Sequence, residues 1–328
     1  MFRFGICAIV ALSFFSLPTP GYAQFDQFND TAESKSYGGM VLGEGFTQKL
    51  KVGVQVTARA GDIRGIVATI PIPSKWPEQT LSIVDEETTP HVKKIKYRDL
   101  EQGARQMIVT IDSLPRGKMA KAIVTFEITR HSSTAPEETD HLVLLKKKIP
   151  TNVRRALGKS PLIESTDRHI KKQAKEIIKD HENVWDQVEA IHTWVRENIE
   201  HKNEKLKGAA ETLKSKTGNH EDLVSLFIAL CRANKIPART VWIPGGCYPE
   251  FYLAEEEEGN GAWYPCQITG GDGFGGIDER SPILQKGDNL KVPGEKKRFR
   301  FVPEKLTGAK LTAQNVPTVR FIRQVLPK

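Results

Sequence analysis

The spacing of apolar residues changes near residue 150, and this change constrains the fold more than any other feature of the sequence. Before it, apolar and polar residues alternate, so that Val52, Val54 and Val56 fall on one face of a strand. After it, apolar residues recur every three or four positions, as on the buried face of a helix. The two patterns predict two domains, and 328 residues are enough for each to bury its own core.

The first pattern predicts an antiparallel β-sandwich at the N-terminal end of the chain. Turn-forming sequences such as Ala60-Gly61-Asp62 and Pro115-Arg116-Gly117 separate the alternating runs. About seven short strands at this spacing are typical of two packed antiparallel sheets. They are predicted from Leu50 onward and at Gly65–Ile72, Thr80–Val84, Val92–Tyr97, Gln106–Ile111, Lys121–Ile128 and His141–Leu145. No catalytic pattern stands out in them, which favours a packing or interaction module.

The first residues have the composition of a cleaved signal peptide. Arg3 precedes an apolar run from Phe4 to Leu17, and Gly21-Tyr22-Ala23 supplies the small residues that a signal peptidase requires. The run is too short for a stable membrane span, although an uncleaved anchor is the alternative. We therefore expect a signal peptide at 1–23, a secreted or periplasmic protein of a bacterial cell envelope, and no membrane span after cleavage. A polar, loose leader is predicted to follow at 24–45.

The formal net charge of +8 is a mild excess spread over the chain. The basic runs at Lys146–Lys148 and Lys296–Arg300 lack the interleaved aromatic residues of a nucleic-acid surface, so we interpret them as solvated faces. The sequence predicts no nucleic-acid partner.

Helical spacing dominates the second part of the chain. Asn183–Glu200 is predicted to be amphipathic, and His169–Lys179 and Ala209–Lys216 are shorter helices. Asn219 fits an N-cap, and Asp222 stands three residues later in the position of a capping box. The helix that begins there has an apolar stripe and should end before Pro237, because a residue before proline avoids the helical region.

Strand-like runs follow this helix. One strand is predicted from Thr240 to Gly245, continuing through Glu250 to Leu253, and a second from Ala262 to Ile268. The loop between them contains four consecutive glutamates at 255–258, which repel one another and stay solvated rather than bind a metal. Runs at Arg298–Val302 and Thr318–Leu326 are predicted to complete the sheet of this second domain.

The part from Asp186 to Gln267 resembles the transglutaminase-like superfamily, which includes microbial transglutaminases and related proteases with a papain-like core. The resemblance rests on AIHTWVRENI at 190–199, the helix start after Gly218, the passage LFIALCRANKIPART, the EFYL strand and the final WYPCQ. It implies an α+β chain in which the sandwich precedes a papain-like domain. The predicted divisions are a β-sandwich at 46–148, a linker at 149–168 and a transglutaminase-like domain at 169–328.

The resemblance also places a catalytic triad, and all three positions differ from the family pattern. The nucleophilic cysteine of the family corresponds to His220, the histidine base to Gly246, and the orienting acid to Gln267. A histidine cannot act as a thiol, and a glycine offers no base. Because nucleophile and base act as one unit, their loss should remove acyl transfer almost entirely. The sequence therefore predicts no catalytic residue with certainty.

Three cysteines remain after the signal peptide, and an odd number in an exported protein suggests one pair and one buried thiol. Cys231 lies within the apolar helix and is expected to be a small buried side chain. If Gly246 and Gln267 face each other as the resemblance implies, Cys247 faces Cys266 on adjacent strands. We expect a disulfide between Cys247 and Cys266, with two free thiols as the alternative.

No metal or cofactor is predicted. His220, Glu221 and Asp222 are consecutive, so their side chains fan out around the helix instead of converging on an ion. The run at 271–276 matches G-x-G-x-x-G by letters, but no helix starts within it, which a dinucleotide site requires. We expect a flexible loop near the mouth of the site.

Two hypotheses for function remain. In the first, the chain is an exported transglutaminase-like protein without thiol chemistry, whose cleft binds a peptide, protein or glycan. In the second, it is an acyltransferase or cysteine-type hydrolase with a rearranged site that uses Cys247 or a metal at His220. Aromatic residues concentrated on the predicted strands could line a binding groove. They are Trp242, Tyr248, Phe251, Tyr252, Trp263 and Tyr264.

Overall fold

A computed structural model describes residues 40–257, 261–309 and 316–326. The predicted signal peptide and the predicted leader up to residue 39 lie outside the described residues. Within those ranges, no helix is both long and apolar enough to cross a membrane.

The N-terminal part is a β-sandwich, as predicted. Its first six strands are β1 (Val41–Thr57), β2 (Ile63–Ile72), β3 (Gln79–Thr88), β4 (Lys94–Asp99), β5 (Arg105–Leu114) and β6 (Met119–Thr134), with a 3-10 turn at Glu101–Gly103. Alternate side chains of these strands point inward, where full burial of an aliphatic side chain contributes about 1.5–3 kcal/mol. The alternating apolar residues of the sequence are therefore the residues that are buried in the core. They include Leu50, Val52, Val54, Ile66, Ala68, Ile70, Val109, Ile111, Val124 and Phe126.

The leader prediction is wrong at its end, because β1 begins at Val41. This part of β1 pairs with β6, with a register shift between Leu42 and Gly45. A Cβ atom on Gly45 would lie 2.9 Å from the side chains of His131 and Thr129. Glycine allows the two strands to approach here, and the polar composition of the segment hid the pairing.

In the described residues, the second part of the chain contains five helices and a small central sheet. The helices are α1 (Thr151–Arg155), α2 (Arg168–Ile178), α3 (Val184–Asn198), α4 (Ala209–Ser215) and α5 (His220–Ala233). The strands are β7 (Glu200–His201), β8 (Thr217–Gly218), β9 (Ala238–Ile243), β10 (Gly246–Ala254), β11 (Gly261–Pro265), β12 (Gln285–Lys286), β13 (Leu290–Lys291) and β14 (Arg298–Phe299). β7 pairs with β8 and β13 with β14, while the central sheet has the order β11-β10-β9-β12.

Helix α5 lies at the centre of this part. Asn219 caps it, and the predicted capping box with Asp222 is present. Nearly every side chain from Asp222 to Arg232 is buried, because α2, α3 and α4 cover one side of α5 and strands β9 and β10 the other. A helix that is apolar on nearly all sides is stable only in such an enclosed position.

The last strands correct another prediction. The run Arg298–Val302 forms only β14, which pairs with β13 outside the central sheet. The run Thr318–Leu326 forms β16, which pairs with β1 and so belongs to the sandwich and not to the sheet of the second part. A further strand, β15 (Lys305–Ala309), pairs with β2. The sandwich thus has two sheets, β16-β1-β6-β3 and β15-β2-β5-β4. An edge strand with unpaired backbone groups favours such an added partner, and Val319 and Phe321 of β16 pack against the sandwich core.

The predicted linker at 149–168 also differs from expectation. It includes α1, and Ile163 is fully buried in the core around α5. The run His141–Leu145 forms only one bridge, between Val143 and Ala254, instead of a strand. Leu142 and Ile163 belong to the core around α5, and Leu145 and Val153 cluster with Tyr252 of β10, so the apolar residues of both segments pack within the second part.

Candidate functional site

The start of α5 positions His220, the residue at the expected nucleophile position. The Asn219 side chain accepts a hydrogen bond from the Asp222 backbone N–H at 2.9 Å. The buried Asp222 carboxylate in turn accepts from the backbone N–H groups of Lys207 and Gly208, at 2.9 and 2.8 Å. These bonds satisfy free N–H groups of the helix end and fix the preceding loop, so Asp222 has a structural role.

Both ring nitrogens of His220 are hydrogen-bonded. Nε2 contacts the carbonyl oxygen of Cys247, which can only accept, so Nε2 is the donor. Nδ1 lies 2.6 Å from the hydroxyl of Thr269, which can supply the second hydrogen. The imidazole therefore connects α5, β10 and the chain after β11, and neither nitrogen is left to bind a metal or take a proton from a substrate.

Gly246 adjoins this histidine. Its Cβ, if present, would lie 3.9 Å from Nε2 of His220, at ordinary van der Waals distance. Positions 220 and 246 are thus neighbours in space, as the resemblance to thiol enzymes implies for nucleophile and base. The expected single strand through this region is wrong, however: Gly245, with φ +83°, turns the chain, and β9 and β10 form a hairpin. Only this turn brings Gly246 to the start of β10.

Gln267 forms its hydrogen bonds to α3 through its backbone carbonyl. Its carbonyl oxygen accepts from Nε2 of His192 at 2.7 Å and from Arg196 at 3.1 Å. Its side chain lies over the glycine-rich loop, where a Cβ on Gly271 would be 2.1 Å from Oε1 of Gln267. The resemblance gave position 267 the role of orienting the base at position 246. The side chain after β11 that bonds to residue 220 is Thr269, two residues later.

Sequence reasoning missed His192 and Arg196, which lie on α3. Burial lowers the pKa of His192, and the Arg196 cation lowers it further, while the bond to Gln267 opposes both effects. His192 adjoins Ile191 in the apolar stripe of α3, and a histidine beside a buried stripe is the only hint that the sequence offered. Together the two residues hold the chain after β11 against α3.

The cysteines contradict the predicted disulfide. Cys231, Cys247 and Cys266 are free and buried. Glu250 of β10 is opposite Pro265 of β11, and the N–H of Cys266 donates to the carbonyl oxygen of Pro249. Cys266 is therefore opposite Pro249, two residues along β10 from Cys247. The prediction assumed that Gly246 faces Gln267, and the strands do not adopt that register.

None of these thiols is activated. Burial raises the pKa of Cys247, and the nearby Glu221 carboxylate raises it further. Burial also raises the pKa of Cys231 and of Cys266. The thiolate is the nucleophilic form of cysteine, so these environments disfavour reaction.

The glycine-rich loop at 271–276 is anchored to the core. Phe274 stacks on Phe251 with ring centroids 5.4 Å apart and meets Trp185 at 5.2 Å. Gly275 has φ +72°, and a Cβ there would lie 2.4 Å from Trp185, so only glycine fits. The expectation of a flexible loop is therefore corrected: Phe274 and the backbone of Gln267 hold it in place.

A groove adjoins the site on the side of Thr269. Its volume is about 600 Å³, within the range of ligand pockets. Side chains of both charges line it, with Arg196 and Lys216 as cations. The Lys216 ammonium also lies 4.4 Å from the ring centre of Trp194. Peptides and other polar chains can form hydrogen bonds and ion pairs in a groove of this composition.

The sandwich, the helix-start site and the antiparallel sheet define a protein with a papain-like α+β core. Residues 171–268 match the model of the transglutaminase-like superfamily, and this part of the chain is a transglutaminase-like domain. No curated protein matches the chain significantly.

Two solved structures are similar to the chain. One is a putative cysteine protease from Cytophaga hutchinsonii, with 17% identity and a TM-score of 0.54, covering 87% of this chain and 94% of that one. At this identity the likeness shows the fold alone, and it extends over sandwich and papain-like core together. The other is a putative protease from Parabacteroides distasonis, with 13% identity, a TM-score of 0.29, and coverage of 74% and 49%. That score supports no statement about the fold.

Proposed function

We propose that this protein is an exported transglutaminase-like protein without thiol chemistry, whose cleft binds a peptide, protein or glycan. One observation carries the proposal: the residue at the nucleophile position, His220, uses both ring nitrogens to hold its neighbours together. A catalytic cysteine at a helix start needs an adjacent base, and Gly246 has no side chain to provide one.

The buried cysteines weigh against the alternative of a rearranged active site. Cys247 is 2% exposed, and its pKa is raised by burial and by Glu221. An attacking thiol must be accessible and largely ionised near neutral pH. Cys247 meets neither requirement, so its nearness to position 246 does not make it a replacement nucleophile.

Binding is favoured by the groove beside Thr269. Because Thr269 bonds to His220, the wall of the groove continues into the former nucleophile position. A site that keeps its shape and loses its nucleophile can still recognise a chain that an active relative would process. Leu223 and Ile268 in the lining supply apolar contacts, and the charged Arg196 supplies polar ones, for such a chain.

Two assays on the mature protein test the loss of catalysis. In the first, an amine donor and a glutamine-containing acceptor are incubated with the protein, and crosslinking is measured. In the second, cleavage of a peptide library is followed by mass spectrometry. We expect no turnover in either. Turnover that Cys247→Ser abolishes would refute the proposal, and turnover that His220→Ala and a chelator each abolish would favour a metal enzyme.

Rebuilding the triad tests the assignment of the positions. The variant with His220→Cys, Gly246→His and Gln267→Asp should label faster with iodoacetamide at neutral pH than the matched variant that carries Gly246→Ala instead. A histidine fits because position 246 has open space toward residue 220. Equal labelling rates of the two variants would show that positions 220 and 246 cannot form a cysteine–histidine pair.

Export is tested separately. The full chain and a form without residues 2–23 are expressed in a Gram-negative host, and cell fractions are compared. We expect the full chain in the periplasm with a mature mass that begins at residue 24, and the shortened form in the cytoplasm. Recovery of the full chain from the cytoplasm with residues 1–23 still attached would contradict export.

A further inference from the structure

A second cavity lies on the opposite face of the central sheet from α5. Along β10, Phe251 points into the core around α5, and alternation sends Glu250 to the other face. There a cavity of about 100 Å³ opens between the sandwich and the sheet. Its lining includes five charged residues, which are Glu78, Arg130, Arg239, Glu250 and Lys286.

Two cations, Arg239 and Lys286, pair with the two carboxylates of the cavity. Arg239 donates to one Glu250 oxygen at 2.5 Å, and Lys286 donates to the other at 2.8 Å. Lys286 also donates to Glu78 at 2.5 Å. Two carboxylates therefore share two of the three cations, and the cavity retains one excess positive charge, which belongs to Arg130.

Among the described residues, every hydrogen-bond acceptor of Arg130 is neutral, although the Glu78 carboxylate is near enough to act on its charge. Its terminal nitrogens donate to the backbone oxygens of Glu78 and His131, at 3.3 and 2.5 Å, and to the Tyr248 hydroxyl at 3.0 Å. Its Nε has no hydrogen-bond partner, although the residue is only 1% exposed. A buried guanidinium whose hydrogen-bond acceptors are all neutral gains free energy from a carboxylate acceptor, since hydrogen bonds between charged groups are the stronger ones.

Glu78 and Arg130 keep their charges at neutral pH. Burial would raise the pKa of Glu78, but Lys286 and Arg130 lower it to about 2. Burial would lower the pKa of Arg130, but Tyr248 and Glu78 raise it above its usual value. The excess charge is therefore permanent, and a ligand that neutralises it is an anion.

The size and walls of the cavity select among anions. Its volume equals about three water molecules at roughly 30 Å³ each, which suits one acetate-sized group. Apolar atoms of Met40, Ala262 and Trp263 form part of the wall. Pro77 is exposed and Trp263 half-exposed, so the cavity reaches solvent on that side.

We infer that this cavity is a binding site for a single carboxylate group, which accepts hydrogen bonds from Arg130 and places its short apolar stem against Trp263. A carboxylate matches a guanidinium in geometry and charge. The group can be a free small carboxylate or the C-terminus of a peptide. The inference does not depend on the loss of thiol chemistry at His220.

The test uses the mature protein and follows the Nε–H resonances of its arginines by nuclear magnetic resonance. Arg130→Lys assigns the Arg130 resonance, and Arg323→Lys assigns a matched control, whose Nε is also unpartnered but whose Nη2 bonds to Glu304 at 2.7 Å. The ligands are acetate, inorganic phosphate, a tripeptide with a free C-terminus and the same tripeptide as its amide, at constant pH and ionic strength.

We expect acetate or the tripeptide acid to shift the Arg130 resonance in a saturable way and to leave that of Arg323 unchanged. Arg130→Lys should weaken the binding about tenfold or more, through loss of the paired guanidinium bonds. A response to acetate identifies a free carboxylate, and a response to the tripeptide acid alone identifies a chain terminus. No shift with either, an equal shift with the amide, or a shift with phosphate only would overturn the inference.

Discussion

The Thr269 hydroxyl lies 2.6 Å from Nδ1 of His220 and joins the start of α5 to the chain after β11. This contact occupies the place where thiol enzymes of this fold class carry out chemistry. The His220 ring is held between this hydroxyl and the backbone carbonyl of Cys247. The position that corresponds to the family's nucleophile therefore connects the helix to the sheet.

Removing this hydroxyl should destabilise the protein. In Thr269→Val, Nδ1 of His220 loses its partner, and we expect the free energy of unfolding to fall by about 1 kcal/mol. Urea denaturation measures the change. Thr193→Val, at an exposed position of α3, is the control and should have little effect. Equal effects of the two substitutions would mean that the bond to His220 contributes nothing.

The thiols should be unreactive in the folded protein. Because Cys231, Cys247 and Cys266 are buried and free, we expect iodoacetamide to modify none of them in the folded protein without residues 1–23, which contain Cys7, and all three after unfolding without reductant. Intact-mass measurement counts the modified residues. If only one thiol reacts in the unfolded protein and three react after reductant is added, the result would support a disulfide between Cys247 and Cys266.

The charged cavity should make stability depend on pH. The pKa of Glu78 falls from 4.5 to about 2 on folding, so its ionised form stabilises the folded state. This contribution, on the order of 3 kcal/mol, is complete above the unfolded pKa and is lost as pH falls toward 2. The difference in unfolding free energy between wild type and Glu78→Gln should therefore shrink over that interval.

Glu257→Gln is the matched control for this pH effect. Glu257 forms an exposed pair with Lys146, which contributes little in water. We expect its unfolding free energy to follow the wild type from pH 7 to pH 3. A Glu78→Gln difference that stays constant across this range would show that ionisation of Glu78 is not coupled to folding.

The last strand should protect the first. A chain truncated after Pro317 lacks β16 and leaves the edge of β1 at residues 49–57 without a partner. We expect faster hydrogen exchange at alternate amides of this segment, because those amides lose their acceptors. The amides of α5 serve as an internal control. Unchanged exchange in β1 would contradict the pairing with β16.

Local patterns in the sequence were enough for much of the architecture. Alternation predicted β1 to β6, and helical spacing predicted α2, α3 and α5 with the Asn219 cap, because these depend on neighbouring residues. The residues around the Ile236-Pro237 turn also carried the resemblance to the transglutaminase-like superfamily, which the match at 171–268 confirms.

Only the tertiary structure decided the long-range relationships. The pairing of β16 with β1, the hairpin at Gly245 and the register of β10 with β11 bring distant residues together, and local spacing carries no information about such pairs. The bonds of His220 and the unpartnered Nε of Arg130 arise in the same way. The sequence by itself determined most of the elements, from β1 to β6 and from α2 to α5, and that the thiol is missing from position 220. Packing between layers decided which groups meet, because the free energy of burial and strand pairing depends on the whole fold.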